Sequence, residues 1–257
     1  MSEPTNESAE PSNEPANGLV NEPTSESMGF PQRVINIFFS PGQVFQSLRE
    51  HPSFIPPIIV VVLLSMATVP VMAPVNEKVA IEQMRQQNPD VTQEQIDQVA
   101  SMTSGPIGIG IGIVAVVIMV PVYSLLMTLI FRTLFQAVFG GNVSFKHALS
   151  VLTHASLINI LGIGVTILMT YSTQKVGATL SLGVLVPFLE EENIIYIVLN
   201  GIDVFTGWWL CLLSISFGIL YDMPTMRSAK VFFGLWVLWI AGKTAFVMTF
   251  GSIIPGM

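Results

Sequence analysis

The chain has 257 residues, 51% of them hydrophobic and only 11% charged, with a mean hydropathy of +0.65 and a formal net charge of −7. One soluble core of this size has no room for so much apolar surface, so a lipid bilayer must take it. The acidic balance excludes nucleic acid as a partner, because no basic face is available to displace counterions from phosphate. An intramolecular disulfide is excluded too, since Cys211 is the only cysteine, and its apolar surroundings suit an inert small hydrophobe.

Residues 1–29 repeat Glu-Pro steps (Glu3-Pro4, Glu10-Pro11, Glu14-Pro15, Glu22-Pro23) among Asn, Ser and Thr. Such a composition predicts a disordered acidic tail. It lacks a basic n-region followed by an apolar h-region, so the first transmembrane helix is expected to act as an uncleaved signal. Residues 30–257 then form the membrane domain. In its first part, Ser40-Pro41 reads as a helix N-cap and first position. Val44, Phe45 and Leu48 fall on one side of that helix, with Gln43, Gln46, Arg49 and Glu50 on the other. It lies either in the membrane interface or packed beneath the bundle.

Five spans are expected, at about 54–75, 106–131, 148–170, 201–221 and 231–253, each near the roughly twenty residues that cross about 30 Å of hydrocarbon. Pro70 and Pro74 should kink or end the first. In the polar stretch 76–104, Ile81 with Met84 and Ile96 with Val99 flank Asn88-Pro89, which predicts two short amphipathic helices. Thr92 with Gln95 is a capping-box pattern for the second. Asp90, Glu94 and Asp97 lack the alternation of a calcium loop and read as a solvated face.

The second span opens on Gly105, Gly108, Gly110 and Gly112. No strand precedes them, so a dinucleotide fingerprint is rejected; Gly108 and Gly112, one turn apart, suit close helix packing in lipid. Gly140, Gly141 and Asn142 form a turn, Ser144 is a natural N-cap, and Lys146 and His147 open the third span at the headgroup level. Within that span His154, Ser156 and Asn159 are expected to face other helices and find hydrogen-bond partners there. The apolar run from Ile194 to Tyr221 exceeds one perpendicular span, and Asn200-Gly201 is the obvious break. Trp208 and Trp209 fit either an interfacial belt or a bundle interior.

With the N-terminus cytoplasmic, the inner segments hold Arg33, Arg49, Arg132, Lys146, Arg227 and Lys230, and the outer ones Lys78, Arg85 and Lys175. That six-to-three bias favours this orientation. The sequons at Asn6 and Asn142 would then be cytoplasmic and unused. Asp203 and Lys243 are the two ionisable residues in apolar surroundings, where exposure to lipid is expensive. Asp203 reads first as an acid in the opening turn of the fourth helix. Lys243 lies deep enough to reach toward it as a structural pair, and a substrate or proton site is the further alternative.

The segments SPGQVFQSLREHPSF (Ser40 to Phe54), FGGNVSFKHALSVL (Phe139 to Leu152) and IDVFTGWWL (Ile202 to Leu210) resemble the bacterial branch of the Yip-one domain family. The resemblance runs over about residues 30–253 and implies a five-helix domain with a cytoplasmic N-terminus in the bacterial inner membrane. Eukaryotic relatives are associated with Rab-type GTPases and membrane traffic. The D-L-Y-G-P type motif of those relatives is absent here, so GTPase binding is not carried over. No G-x-S-x-G, H-E-x-x-H or phosphate-binding loop occurs, and His51, His147 and His154 lack metal-site spacing. The expected protein is an all-α, polytopic, non-enzymatic membrane-organising or adaptor protein, implying no cofactor. Its partners are the bilayer, membrane or cytosolic proteins, and a second copy of itself. A small transporter or channel component is the alternative, although no internal repeat or paired broken helix supports it.

Overall fold

The computed structural model describes residues 28–174, 179–190 and 193–250. The Glu-Pro tail up to residue 27, Lys175, Glu191, Glu192 and the last residues expected of the fifth span lie outside them. The described residues are helical apart from turns and one isolated antiparallel bridge, Ser181 to Asp203. The helices are α1 (Phe30–Phe39), α2 (Pro41–Glu50), α3 (Ile55–Gln87), α4 (Gln93–Thr103), α5 (Pro106–Phe139), α6 (Phe145–Ala155), α7 (Asn159–Thr173), α8 (Ile194–Asn200), α9 (Val204–Leu220) and α10 (Thr225–Phe250). This is an all-α polytopic membrane protein, with a Ser156–Ile158 3₁₀ turn joining α6 to α7 as one bent crossing.

Among the described residues four helical stretches are long and apolar enough to cross a membrane: α3, α4 running into α5, α6 with α7, and α10. The fifth apolar helix, α9, has 17 residues, or about 26 Å at 1.5 Å per residue. It is nonetheless the axis of the bundle. Leu210, Leu212, Leu213, Phe217 and Leu220 are buried along it, and α10, α6, α2 and α7 pack around it. By contrast α3, α5 and α10 expose rows of large apolar residues, among them Leu63, Ile111, Met119, Leu126 and Trp239. In a bilayer that surface meets acyl chains and needs no protein cover. Cys211 sits on the exposed side of α9.

The packing centre is aromatic. Phe135 lies between the rings of Phe217 (4.7 Å between centroids), Phe232 (5.0 Å), Phe139 and Tyr221 (both 5.5 Å), and Phe131 adds an edge to Phe232 at 5.0 Å. Edge and tilted contacts of this kind add to area burial. They gather the ends of α5 and α9 and the start of α10 at one end of the bundle, the proximal end, together with α1, α2 and the turns at 140–144 and 221–224.

Two boundaries in particular differ from those expected. Pro70 and Pro74 do not end the first span; α3 runs on to Gln87 and absorbs the first of the two amphipathic helices placed in 76–104. In lipid a broken helix would strand backbone groups, so a locally repaired helix costs less than an end. Between the two prolines the Tyr171 hydroxyl of α7 donates to the carbonyl of Val71, which ties α7 to α3 at this point. The second amphipathic helix is α4, with the Thr92–Gln95 capping box made in both directions and its Ser104 hydroxyl donating to Glu77 of α3. The fifth span begins at Thr225, six residues before the expected Val231. The α1–α2 hairpin resolves the open alternative in favour of packing: Ile37, Val44, Phe45 and Leu48 are fully buried against the bundle.

Other features follow the sequence closely. Ser144 caps α6 by accepting from the His147 amide, and the chain breaks at Asn200-Gly201, between α8 and α9. That break exposes backbone groups, and a neighbouring loop occupies them. The Leu182 amide donates to the Ile202 carbonyl at 2.9 Å, the Val204 amide to the Leu180 carbonyl at 3.1 Å, and the Ser181 hydroxyl to the Asn200 side chain at 2.7 Å.

Candidate functional site

Polar chemistry collects in three places. The first is a cleft of about 290 Å³ where α3, α7 and α9 diverge, lined by Thr68, Asn159, Thr166, Thr179, Asp203 and Phe205 among others. Asp203 stands at its edge as the N-cap of α9, with one carboxylate oxygen accepting from the Thr206 amide at 2.8 Å. An acid there is favoured by the free amides and by the helix dipole. Asn159, at the first turn of α7, has no side-chain hydrogen bond to any described residue.

Lys243 does not join this cleft. It lies exposed on the flank of α10, and no ion pair links it to Asp203 among the described residues. The structure therefore separates the two ionisable residues that hydropathy alone put together. Asp203 is spent on its cap, and Lys243 must carry its ammonium along the helix toward the membrane surface.

The second place is a buried polar chain at the proximal end. Arg33 of α1 is 5% exposed. Its guanidinium donates to the hydroxyls of Ser53 (2.8 Å) and Ser47 (3.1 Å). Ser53 and Ser150 then clasp each other across the bundle, the Ser53 amide donating to Ser150 Oγ at 2.9 Å and that hydroxyl donating back to the Ser53 carbonyl at 2.8 Å. His154 follows one turn later on α6, fully buried. Its Nδ1 meets the Ser150 carbonyl at 2.8 Å and the Phe30 ring stands edge-on to it. A carbonyl only accepts, so Nδ1 carries the proton and Nε2 is left as an acceptor with no partner. His154 and Ser156 thus bond within their own helix, where bonds between helices were expected. Burial pushes the Arg33 guanidinium below its ordinary pKa.

The third place is the proximal surface. Arg49 of α2 binds Asp222 through both terminal nitrogens and also donates to the Ile219 carbonyl at the end of α9. Asp222 sits in the left-handed region at φ 50°. The Arg49 hydrogen bonds hold its carboxyl below the usual range. Beside it the Tyr221 hydroxyl donates to the Arg132 carbonyl, and Arg132 Nε to the Val143 carbonyl at 2.7 Å, which fastens the 140–144 turn.

Two of the glycines singled out are close-approach positions. A Cβ on Gly108 would lie 2.2 Å from the Met102 carbonyl oxygen, and one on Gly112 would lie 2.8 Å from a Val69 methyl of α3. Gly110, between them in sequence, faces open space. Sequence reasoning missed Arg33, Ser47, Ser53 and Ser150 as a connected group. The signal was an arginine inside an otherwise amphipathic helix, on the side that α1 turns toward the bundle.

Comparison with known proteins identifies a family. A family model described as Yip1 domain covers residues 35–247. No curated protein and no solved structure matches the chain.

Proposed function

Since the chain belongs to the Yip1 domain family, which is not an enzyme family, we propose that it is a non-enzymatic membrane-organising or adaptor protein that presents its proximal face to protein partners. The observation that carries this reading is the α1–α2 hairpin. It is docked rigidly on α6 and α9, yet it turns Ile35 and Phe39 outward, 60% and 81% exposed. Apolar side chains on a fixed ledge beside the membrane are the kind of anchor that a partner helix takes up.

The same reading places the N-terminus and the proximal face in the cytoplasm and the C-terminus across the membrane, in a bacterial inner membrane. The Lys/Arg distribution supports this orientation. Photoreactive residues at positions 35 and 39, with others in the 76–104 segment as the comparison, test the reading in cells. Protein adducts from positions 35 and 39, identified by mass spectrometry, are the expected result; lipid adducts alone from those positions would overturn it. Reporter fusions after residues 140 and 90 test the orientation, with cytoplasmic activity expected only at 140.

A second reading, a small transporter or channel component, is favoured by the cleft that holds Asp203 and Asn159. It requires solute flux in proteoliposomes that Asn159→Ala abolishes while folding is kept.

A further inference from the structure

At the proximal end a second recess, of about 470 Å³, opens where α1, the α2–α3 link and the first turn of α6 meet. Arg33, Glu50, His51, Pro52, Ser53 and Lys146 line it. The placement is tied to the bilayer: α3 starts at Ile55 and α6 at Phe145, so the recess lies where two spans enter the membrane. Lys146 and His51 are exposed at its mouth and Arg33 is buried in its wall.

The charge in this wall is unbalanced. Only two of the five guanidinium N–H groups of Arg33 have acceptors, both neutral serine hydroxyls, and its Nε is buried with no partner. Among the described residues no carboxylate lies within ion-pair distance of Arg33 or of Lys146; the one ion pair there is Arg49 with Asp222. A buried cation without a counter-ion is costly, and proteins hold one where it has a ligand to meet. Lys146 adds a second cation in the first turn of α6, where the helix dipole is positive.

We propose that this recess binds a phosphate group, with Arg33 as the forked donor in its wall and Lys146 as the point charge at its mouth. Guanidinium geometry matches phosphate oxygens in pairs, and lysine reaches the same group from a flexible stem. Glu50, on the rim, faces the remainder of the ligand and suits a hydroxyl or ammonium substituent. The placement of the recess, where two spans enter the membrane, suits a phospholipid headgroup, for which basic pockets between membrane helices are a known mode of recognition. The same groups would hold free phosphate. The site is independent of the adaptor reading.

The test uses the full chain purified in a nonionic, phosphate-free detergent. Phosphatidylglycerol, inorganic phosphate and oleate are each titrated and followed by native mass spectrometry and by thermal unfolding. Retention of phosphatidylglycerol, with a raised melting temperature, is expected. An equal effect from inorganic phosphate supports the site and identifies a free anion as its ligand. Lys146→Ala, at an exposed position outside the buried chain, weakens binding by roughly ten- to a hundredfold, one charge-assisted hydrogen bond. Arg33→Lys keeps the charge, loses the fork and weakens it further. Lys230→Ala, an exposed cation away from the recess, leaves it unchanged. Oleate binding as tightly as the phosphate ligands, binding by neither phosphate ligand, or binding indifferent to Lys146→Ala would overturn the proposal.

Discussion

Arg49 grips Asp222 with a two-pronged hydrogen bond, 2.5 Å on one side and 2.7 Å on the other, and so fastens the α2 hairpin to the C-terminal end of the central helix. Both partners are exposed to solvent, so the pair is subject to screening and its contribution depends on salt.

Asp222→Asn isolates the charge, because asparagine also tolerates the left-handed backbone found there. The folded-state pKa of Asp222 is depressed, first by the Arg49 hydrogen bond. Its contribution is therefore complete above the unfolded carboxylate value of about 3.9 and is lost as pH falls through the lower folded value. Thermal unfolding of wild type and Asp222→Asn should show wild type ahead at pH 6, with the gap closing below about pH 4. A gap that stays constant across that range would show that the charge contributes nothing.

Gly108→Ala should destabilise by about 1–3 kcal/mol, the usual cost of overpacking, because the added methyl meets a backbone carbonyl that cannot move aside. Gly112→Ala should cost less, since the obstacle is a Val69 methyl, and pairing it with Val69→Ala should recover most of the loss. Gly110→Ala, facing open space, should be neutral or slightly favourable. Unfolding in detergent measures all four, and equal effects at 108 and 110 would contradict the packing described.

Asp203→Ala removes the α9 cap and should cost about 0.5–2 kcal/mol, whereas Asp203→Asn and Asp203→Ser should keep most of the stability. Lys243→Met should be harmless or stabilising, as the lysine has no ion-pair partner among the described residues and lies on the outside of α10. Equal losses in Asp203→Asn and Lys243→Met, with no further loss on combining them, would reinstate the pair.

Phe135→Ala should be the most damaging single truncation at the proximal end. The ring has four aromatic neighbours and no exposure, and Phe→Ala in a packed core costs about 3–5 kcal/mol. The lower part of that range applies, since lipid solvates the unpacked ring better than water does. Phe135→Leu should retain a large share. A comparable effect from Phe39→Ala, whose ring is exposed, would deny the cluster its role.

The parts of this fold legible in the sequence are those fixed by local chemistry: the Thr92 and Ser144 caps, the Asn200-Gly201 break, and the count and order of apolar stretches. Hydropathy does not say whether an apolar residue meets lipid or protein, and most of the surprises arise there. ALSVLTHA on α6 and VVIMV on α5 both lie in stretches long and apolar enough to span a membrane, but the first is wholly buried and the second is mostly exposed. The serine, threonine and histidine of the α6 stretch were the available hint. Of the two outcomes expected of Pro70 and Pro74, a kink or an end, the structure removes the end, because in lipid a freed carbonyl finds no solvent. Lys243 misled for a related reason: depth along a helix was legible, but the side of the helix was not. The recess around Arg33 needed three separate segments to meet, and no spacing in the chain announces that.

The wholly buried stretch of α6 has a consequence for how the protein is made. From Ala148 to Ala155 every residue is covered, in large part by α9, which the ribosome delivers later. When α6 first leaves the translocation channel, the earlier helices α1, α2 and α5 can already pack on it, but the side that α9 covers has no protein to face, and lipid is a poor substitute. The half-built molecule must wait, with this segment sheltered by the channel or by an insertion chaperone, until the central helix arrives. Truncated nascent chains ending before Val204 should therefore stay associated with the insertion machinery, and chains that include Leu220 should be released.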